Sequence, residues 1–186
     1  MEYDIKKGGH KDMCRIYPMM EFDFLPFEMV RQAYLQRAMM TGAAELLLLK
    51  NENGLEIGYA VTYKKSLYGY VLLSYLAIYP PFRGKGAGTR FLALIRERYA
   101  FCRGILLEVA HDEAAAAKRR YNLYAAQGYE KVDCAYHIGG VETTLMCLRL
   151  MGKEDPAPAI VRIISDLYLK IIPERVFHKF LSVKTV

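Results

Sequence analysis

YLAIYPPFRGKGAGTRFLALI, residues 75–95, is the most informative stretch of this 186-residue chain. In it an apolar strand ends at Pro80-Pro81, a loop supplies three glycines among basic residues, and an amphipathic helix begins near Gly88. Glycines allow a tight turn and bring bare N–H groups against a ligand, and a helix N-terminus adds partial positive charge. The segment therefore predicts a binding site for a diphosphate, with a plain glycine-rich turn as the alternative.

Two common nucleotide-binding motifs fit this loop poorly. A nucleotide P-loop needs GxxxxGK[ST], and no lysine followed by Ser or Thr closes the loop. A dinucleotide-binding fingerprint needs GxGxxG after the first strand, whereas Gly84, Gly86 and Gly88 have GxGxG spacing and follow three predicted strands. The surrounding sequence must therefore indicate which diphosphate binds.

On both sides of the loop the sequence predicts alternating helices and strands. The predicted helices are residues 26–40, residues 88–100, and a third that begins at Asp112-Glu113 and ends at Gly128. The predicted strands are residues 44–50, 55–64, 70–79, 104–110, 129–137 and 143–150. Turns are predicted at Asn53-Gly54, near Tyr68-Gly69 and at Gly139-Gly140. This order predicts an α/β protein with a mixed sheet, in which strand 70–79 is central and buried on both faces.

The last part of the chain has a different pattern. We predict one domain over residues 1–150 and a C-terminal helical extension over residues 151–186, joined by the polar, proline-bearing segment GKEDPAP (152–158). Beyond it, isoleucines and a leucine recur at helical spacing as far as Ile171, and a second helical stretch follows Pro173. Two interpretations are open: the helix packs on its own domain, or it binds a partner such as a second copy in a homodimer.

Composition excludes several classes of protein. Hydrophobic residues make up 53% and charged residues 25% of the chain, as in an ordinary globular protein. The net charge of +6, without a long Lys/Arg run, argues against nucleic acid as a partner. The four cysteines form no CxxC pair and the four histidines are sparse, so neither a disulfide nor a metal site is expected. No secretory or membrane-spanning segment is evident, which predicts a cytoplasmic protein without a membrane partner.

The loop RGKGAG resembles the acyl-CoA-binding motif R/Q-x-x-G-x-G/A of the GNAT family of N-acetyltransferases, with Arg83, Gly86 and Gly88 at the motif positions. The resemblance covers about residues 15–150. It implies the acyl-CoA N-acyltransferase fold, a mostly antiparallel central sheet flanked by helices, and acetyl-CoA as cosubstrate without a metal. The implied pantetheine-binding residues are Leu76, Ala77 and Ile78, and the implied diphosphate-binding residues are Arg83, Gly84, Lys85, Gly86, Ala87, Gly88 and Thr89.

A second segment, KRRYNLYAAQGYE (118–130), is similar to the family's RRxxxFYxxxGF sequence. Tyr124 falls on the tyrosine that protonates the departing CoA thiolate in many members. A phenol of pKa ~10 is reasonably matched to an alkyl thiol and would be a usable general acid. The alternatives are a contact to CoA without proton transfer, or a role in packing alone. Ala117 stands where many members have asparagine, so one pantetheine contact is unassigned.

The reaction also needs a base or a water relay, because a typical amine acceptor is protonated at neutral pH. Glu108 is a carboxylate inside the short apolar strand 104–110, and burial would raise its pKa towards the useful range. A structural carboxylate paired with Arg119 or Arg120 is the alternative. His111 and Glu28 are further candidates for the base.

The resemblance implies an N-acetyltransferase that moves an acetyl group from acetyl-CoA to a primary amine of a small molecule or peptide. No cysteine lies in the motif region, so direct attack in a ternary complex requires no covalent acyl-enzyme. The alternative is a non-catalytic acyl-CoA-binding sensor or interaction module, with the C-terminal helix as its output surface.

Overall fold

The computed structural model describes residues 2–64, 69–111, 114–153 and 155–184. The helix start predicted at Asp112-Glu113, and Tyr68 in the predicted turn, lie outside the described residues. None of the described helices is long and apolar enough to cross a membrane.

Within the described residues, nine strands form a sheet with helices on both faces. The strands are β1 (Tyr3–Gly8), β2 (Ala44–Asn51), β3 (Glu56–Lys64), β4 (Tyr70–Ile78), β5 (Gly104–Ala110), β6 (Glu130–Lys131), β7 (Ala135–Ile138), β8 (Val141–Arg149) and β9 (Leu181–Lys184). The helices are α1 (His10–Asp23), α2 (Gln32–Thr41), α3 (Ala87–Arg98), α4 (Ala114–Ala125), α5 (Ala157–Ile171) and α6 (Glu174–Phe180). The order β1-β2-β3-β4-β5-β8-β7-β9, with β6 beside β8, confirms a mixed sheet with β4 near its centre.

Two predicted elements begin or end elsewhere. The helix predicted over 26–40 begins only at Gln32, because the preceding backbone is held by a side chain: Val30 N–H donates to the Tyr75 hydroxyl at 2.9 Å, and that hydroxyl donates to the Glu28 carbonyl at 2.7 Å. The strand predicted over 129–137 is divided into β6 and β7 by a tight turn closed by the Cys134 amide on the Val132 carbonyl.

Three elements were not predicted from the sequence. Strand β1 is an edge strand with mostly polar, exposed side chains, and α1 carries Pro18 within a weakly amphipathic sequence. Strand β9 is only four residues long and pairs with β7 far back along the chain. The two strands lack a long apolar alternation on which sequence-based assignment could depend. In α1, Met13, Ile16 and Met20 do recur at helical spacing, but a proline inside the pattern argues against a continuous helix.

The sheet changes register at its centre. In the β3–β4 pair, Val61 lies opposite Tyr75 and Thr62 opposite Leu73, so Ser74 is an extra residue and forms a β-bulge. Side chains alternate between the two faces of a strand, so one extra residue moves every later side chain to the other face. The bulge therefore turns Tyr75 toward the same face as Leu72.

Beyond the bulge, the two central strands part. The parallel ladder between β4 and β5 runs from Tyr70 and Gly104 to Leu73 and Leu107. After it β4 stays paired with β3 as far as Ile78, while β5 follows β8. The sheet is thus open between the carboxyl-terminal halves of β4 and β5, and this opening positions the candidate site.

Helix α5 packs on one face of the sheet together with α1 and α2, whereas α3 and α4 cover the other face. Its apolar stripe is buried against β3 and β4, in agreement with the first of the two interpretations given above. The buried residues of this stripe are Ile160, Ile164, Leu167, Tyr168 and Ile171. The division of the chain at residue 150 stays a prediction.

We predict that Ile164→Ala lowers the free energy of unfolding by about 2–4 kcal/mol, because it leaves a cavity where a fully buried side chain contacts the core. Arg162→Ala, on the exposed side of the same helix, is the matched control and changes it by less than about 0.5 kcal/mol. Urea unfolding measures both, and equal effects would contradict the packing of α5.

Candidate active site

The loop after β4 needs glycine at two positions. A short 3-10 turn, Pro80–Phe82, follows the strand. Gly84 and Gly86 then have φ values of +74° and +79°, a region that other residues rarely adopt. A Cβ atom at either position would meet no heavy atom within 4 Å, so the loop surface is open.

Helix α3 presents free amides to that open surface. Its first intrahelical bond runs from the Arg90 amide to the Gly86 carbonyl at 3.0 Å, so the N–H groups of residues 86–89 have no acceptor within the helix. A Cβ at Gly88 would lie 3.8 Å from Ile78 Cγ1, an ordinary contact, so the helix start packs on the strand without crowding. Together with the helix dipole, this arrangement fits the diphosphate predicted from the sequence.

The protein uses Arg83 to hold the loop. Its Nε donates to the Ile78 carbonyl at 2.6 Å and its Nη2 to Asp23 of α1 at 2.8 Å. The Arg83 amide donates to the Pro80 carbonyl at 3.2 Å, so among the amides predicted to hold the diphosphate, this one is already bonded. Lys85 Nζ lies 3.2 Å from the Pro81 carbonyl.

The predicted pantetheine-binding residues line the opening in the sheet. Leu76 packs partly against the α3/α4 face, and Ala77 lies on the face covered by α1, α2 and α5. Through Ile78, one edge of β4 pairs with β3, while the other edge faces the space where β5 has parted from it. Backbone groups on an unpaired edge need a partner from water or a ligand.

Tyr124 on α4 is half-buried and packs against the α3/α4 face, with its ring centroid 5.9 Å from that of Tyr129. Within the part of the chain that the structure describes, its hydroxyl makes no hydrogen bond. Burial raises the pKa of Tyr124 above its ordinary value, with the charge of Arg120 acting in the opposite direction. The phenol is therefore protonated at neutral pH and free to donate.

Glu108 on β5 is half-buried on the face covered by α1, α2 and α5. The Tyr168 hydroxyl lies 2.8 Å from its Oε2 and 3.0 Å from its Oε1, and the Tyr136 hydroxyl donates to Oε1. Burial raises the pKa of Glu108 to about 7, an effect that the two hydroxyls oppose and Glu28 reinforces. A carboxyl with this pKa can exchange a proton near neutral pH.

Arg120 and His111 contact groups other than Glu108. The donors to Glu108 are tyrosine hydroxyls, whereas Arg120 donates to the Ala110 carbonyl at 2.9 Å. His111 Nε2 lies 2.8 Å from Thr144 Oγ1 at the end of β5. Among the residues that the structure describes, no arginine forms an ion pair with Glu108.

The two predicted catalytic residues lie on opposite faces of the sheet. Tyr124 packs on the α3/α4 face, and Glu108 points to the other face. The negative charge of Glu28 contributes to the raised pKa of both side chains.

Sequence reasoning missed the tyrosines around Glu108. Tyr168 lies four residues after Ile164, in the apolar stripe of α5. In β7, Tyr136 and Ile138 are the two buried residues of an alternating pattern. The period of the stripe could have identified Tyr168 as buried. No local signal could have identified its partner, which is 60 residues away in the chain.

Comparison with known proteins gives a family and a fold. The sequence model of the acetyltransferase (GNAT) family matches residues 11–129. A search of curated protein sequences found no significant match.

Solved structures similar to this chain include three from bacteria. A protein assigned to the GNAT family from Bacteroides thetaiotaomicron is 20% identical, with a TM-score of 0.72 over 91% of this chain and 99% of that chain. The ribosomal-protein-S18-alanine N-acetyltransferase of Escherichia coli is 16% identical, with a TM-score of 0.60 over 83% and 98%. A dodecameric spermidine N-acetyltransferase of Vibrio cholerae is 13% identical, with a TM-score of 0.61 over 80% and 94%. These likenesses show a shared fold.

The raised pKa of Glu108 predicts a pH-dependent stability. Between the ordinary carboxyl pKa of 4.5 and about 7, the folded protein binds more protons at this site than the unfolded chain, so stability falls as pH rises. Relative to Glu108→Gln, the wild-type protein should lose on the order of 2 kcal/mol between pH 5 and pH 8. Urea unfolding at each pH measures this, and a difference that stays constant with pH would contradict it.

Proposed function

Because the chain belongs to the acetyltransferase (GNAT) family, we propose that it transfers an acetyl group from acetyl-CoA directly to a primary amine in a ternary complex. The predicted family, fold and enzyme class are confirmed by the family match and the fold of the structural neighbours. The observation that carries the proposal is the opening between β4 and β5, because β4 leads directly from it into the loop and the free N-terminal amides of α3.

Binding of the cosubstrate is assigned to the backbone. The N–H groups from Gly84 to Thr89 would hold the diphosphate, with glycine keeping side chains out of the way. The unpaired edge of β4 at Leu76–Ile78 would bind the pantetheine arm and polarise the thioester carbonyl. Fixed backbone donors aimed at a developing negative oxygen are a major source of rate in acyl transfer.

Proton movements are assigned to two side chains. Glu108, with a pKa of about 7, would take a proton from the acceptor ammonium, leaving a neutral amine as nucleophile. Tyr124 would give its proton to the departing thiolate, since its hydroxyl makes no hydrogen bond among the described residues. Glu28 adds negative charge near both groups and favours a cationic acceptor.

The acceptor is proposed only as a class, a primary amine of a small molecule or peptide. The names of two structural neighbours specify spermidine and a ribosomal-protein alanine, and both are amine acceptors. We also propose a cytoplasmic location, which the four free cysteine thiols support. Among the described residues, no group of potential metal ligands is present, and no step of the proposal uses a metal.

We expect Tyr124→Phe to lower the turnover number by about 10²–10⁴-fold, the usual contribution of a general acid. Binding of acetyl-CoA should persist, because the loop amides are unchanged. Tyr121→Phe, one turn earlier on α4, is the matched control. Thiol release from acetyl-CoA with a panel of amines measures turnover, and unchanged turnover in Tyr124→Phe would remove Tyr124 from the mechanism.

Gly88→Asp should abolish acetyl-CoA binding, because it places a carboxylate where the phosphates would lie. The substitution should still permit folding, since a Cβ fits at this position and an acidic residue suits a helix start. Gly9→Asp makes the same change at the N-cap of α1 and serves as the control. Acetyl-CoA should raise the melting temperature of Gly9→Asp only. The same rise in Gly88→Asp would exclude the loop as the phosphate site.

A further inference from the structure

The carboxylate of Glu108 is held by residues from outside the segment that matches the family. The match covers residues 11–129, whereas Tyr136 belongs to β7 and Tyr168 to α5. The two hydroxyls reach the same carboxylate from different elements, and both side chains are only 1% exposed. The C-terminal part of the chain therefore contributes directly to the environment of Glu108.

We propose that Tyr136 and Tyr168 are positioning residues that hold Glu108 in the orientation and ionisation state needed to deprotonate the acceptor, which makes α5 part of the active site. This inference depends on the proposed function, because it assigns Glu108 as the base. It gives the C-terminal helix a role in the reaction as well as in packing.

The electrostatic surroundings of Glu108 support this role. The titratable groups that face it are Tyr63 from β3, Tyr75 from β4, Tyr136 from β7, Tyr168 from α5 and Glu28 from the segment before α2. None of these five described residues carries a positive charge. Hydrogen bonds to an ionised carboxylate are about twice as strong as neutral ones, so the two bonded hydroxyls are what favours the anion.

Packing fixes the Tyr168 hydroxyl in place. Its ring contacts Tyr63 edge-on with centroids 5.7 Å apart, and Phe180 of α6 at 5.4 Å. Tyr136 is held through β7, which pairs with β9. Both donors are thus set by the fold before any substrate binds.

The geometry leaves Glu108 able to accept a proton. A carboxylate offers about four lone-pair positions, and the two hydroxyls do not use all of them. In the proposed step an N–H bond of the acceptor ammonium breaks and an O–H bond forms on Glu108. Neither tyrosine loses its proton.

A carboxyl titration tests the inference without relying on turnover. Protein labelled with ¹³C at glutamate carboxyl groups is titrated by NMR, and Glu108→Gln identifies the Glu108 signal. We expect Tyr168→Phe and Tyr136→Phe each to raise the Glu108 pKa by about one unit, because each removes a donor to the anion. Tyr70→Phe removes a 2.7 Å bond to Asp155 elsewhere and should leave the Glu108 signal unmoved.

The pH dependence of kcat/KM provides the second readout. The acidic limb should shift to higher pH by the same amount in Tyr168→Phe and Tyr136→Phe. In Tyr70→Phe it should stay at the wild-type pH. A purely structural network could lower kcat/KM at every pH but would not move the limb. Thermal melts check folding, and Tyr136→Phe carries the test if Tyr168→Phe does not fold.

The possible failures are distinguishable. An unmoved Glu108 pKa in a folded variant, or a moved pKa with an unmoved acidic limb, would overturn this inference while leaving acetyl transfer intact. Wild-type protein that binds acetyl-CoA but acetylates no amine would overturn the proposed function, and with it the assignment of Glu108 as base.

Discussion

The end of the β4–β5 ladder at Leu73 and Leu107 is the constraint on which the rest of the site depends. Two parallel strands that stay paired would satisfy each other's backbone groups and close the sheet. Because Ser74 forms a bulge and β5 turns with β8, the sheet opens at its centre instead. The opening exposes a strand edge in the middle of a buried sheet, where a ligand can pair with it without disrupting the core.

The same strand also fixes the loop that we propose binds the diphosphate. Ile78 ends β4, and its carbonyl accepts a hydrogen bond from the Arg83 guanidinium. The same guanidinium also donates to Asp23 of α1. Arg83, the cation of the motif, therefore anchors the loop to β4 and α1. The free amides of α3 face the solvent. We therefore propose that main-chain groups recognise the ligand, because amides fixed by a helix need no rearrangement on binding.

Local chemistry was enough to predict the central segment and little else of the site. The apolar run of β4, the prolines that end it and the glycines after it predicted strand, loop and helix in order, and Asn53-Gly54 predicted its hairpin. The bulge at Ser74 has no local signal, since it depends on pairing with β3. The bonds from Tyr136 and Tyr168 to Glu108 join positions 28 and 60 residues apart, so only the folded chain reveals them.

The account is tested most directly by following the backbone amides of the loop as coenzyme A is added. In a ¹⁵N-resolved NMR titration, the account predicts that the largest shifts fall on Gly84 to Thr89, and that acetylpantetheine, which lacks the diphosphate, leaves those signals in place. Saturation with coenzyme A while the Gly84–Thr89 signals stay unmoved would contradict it.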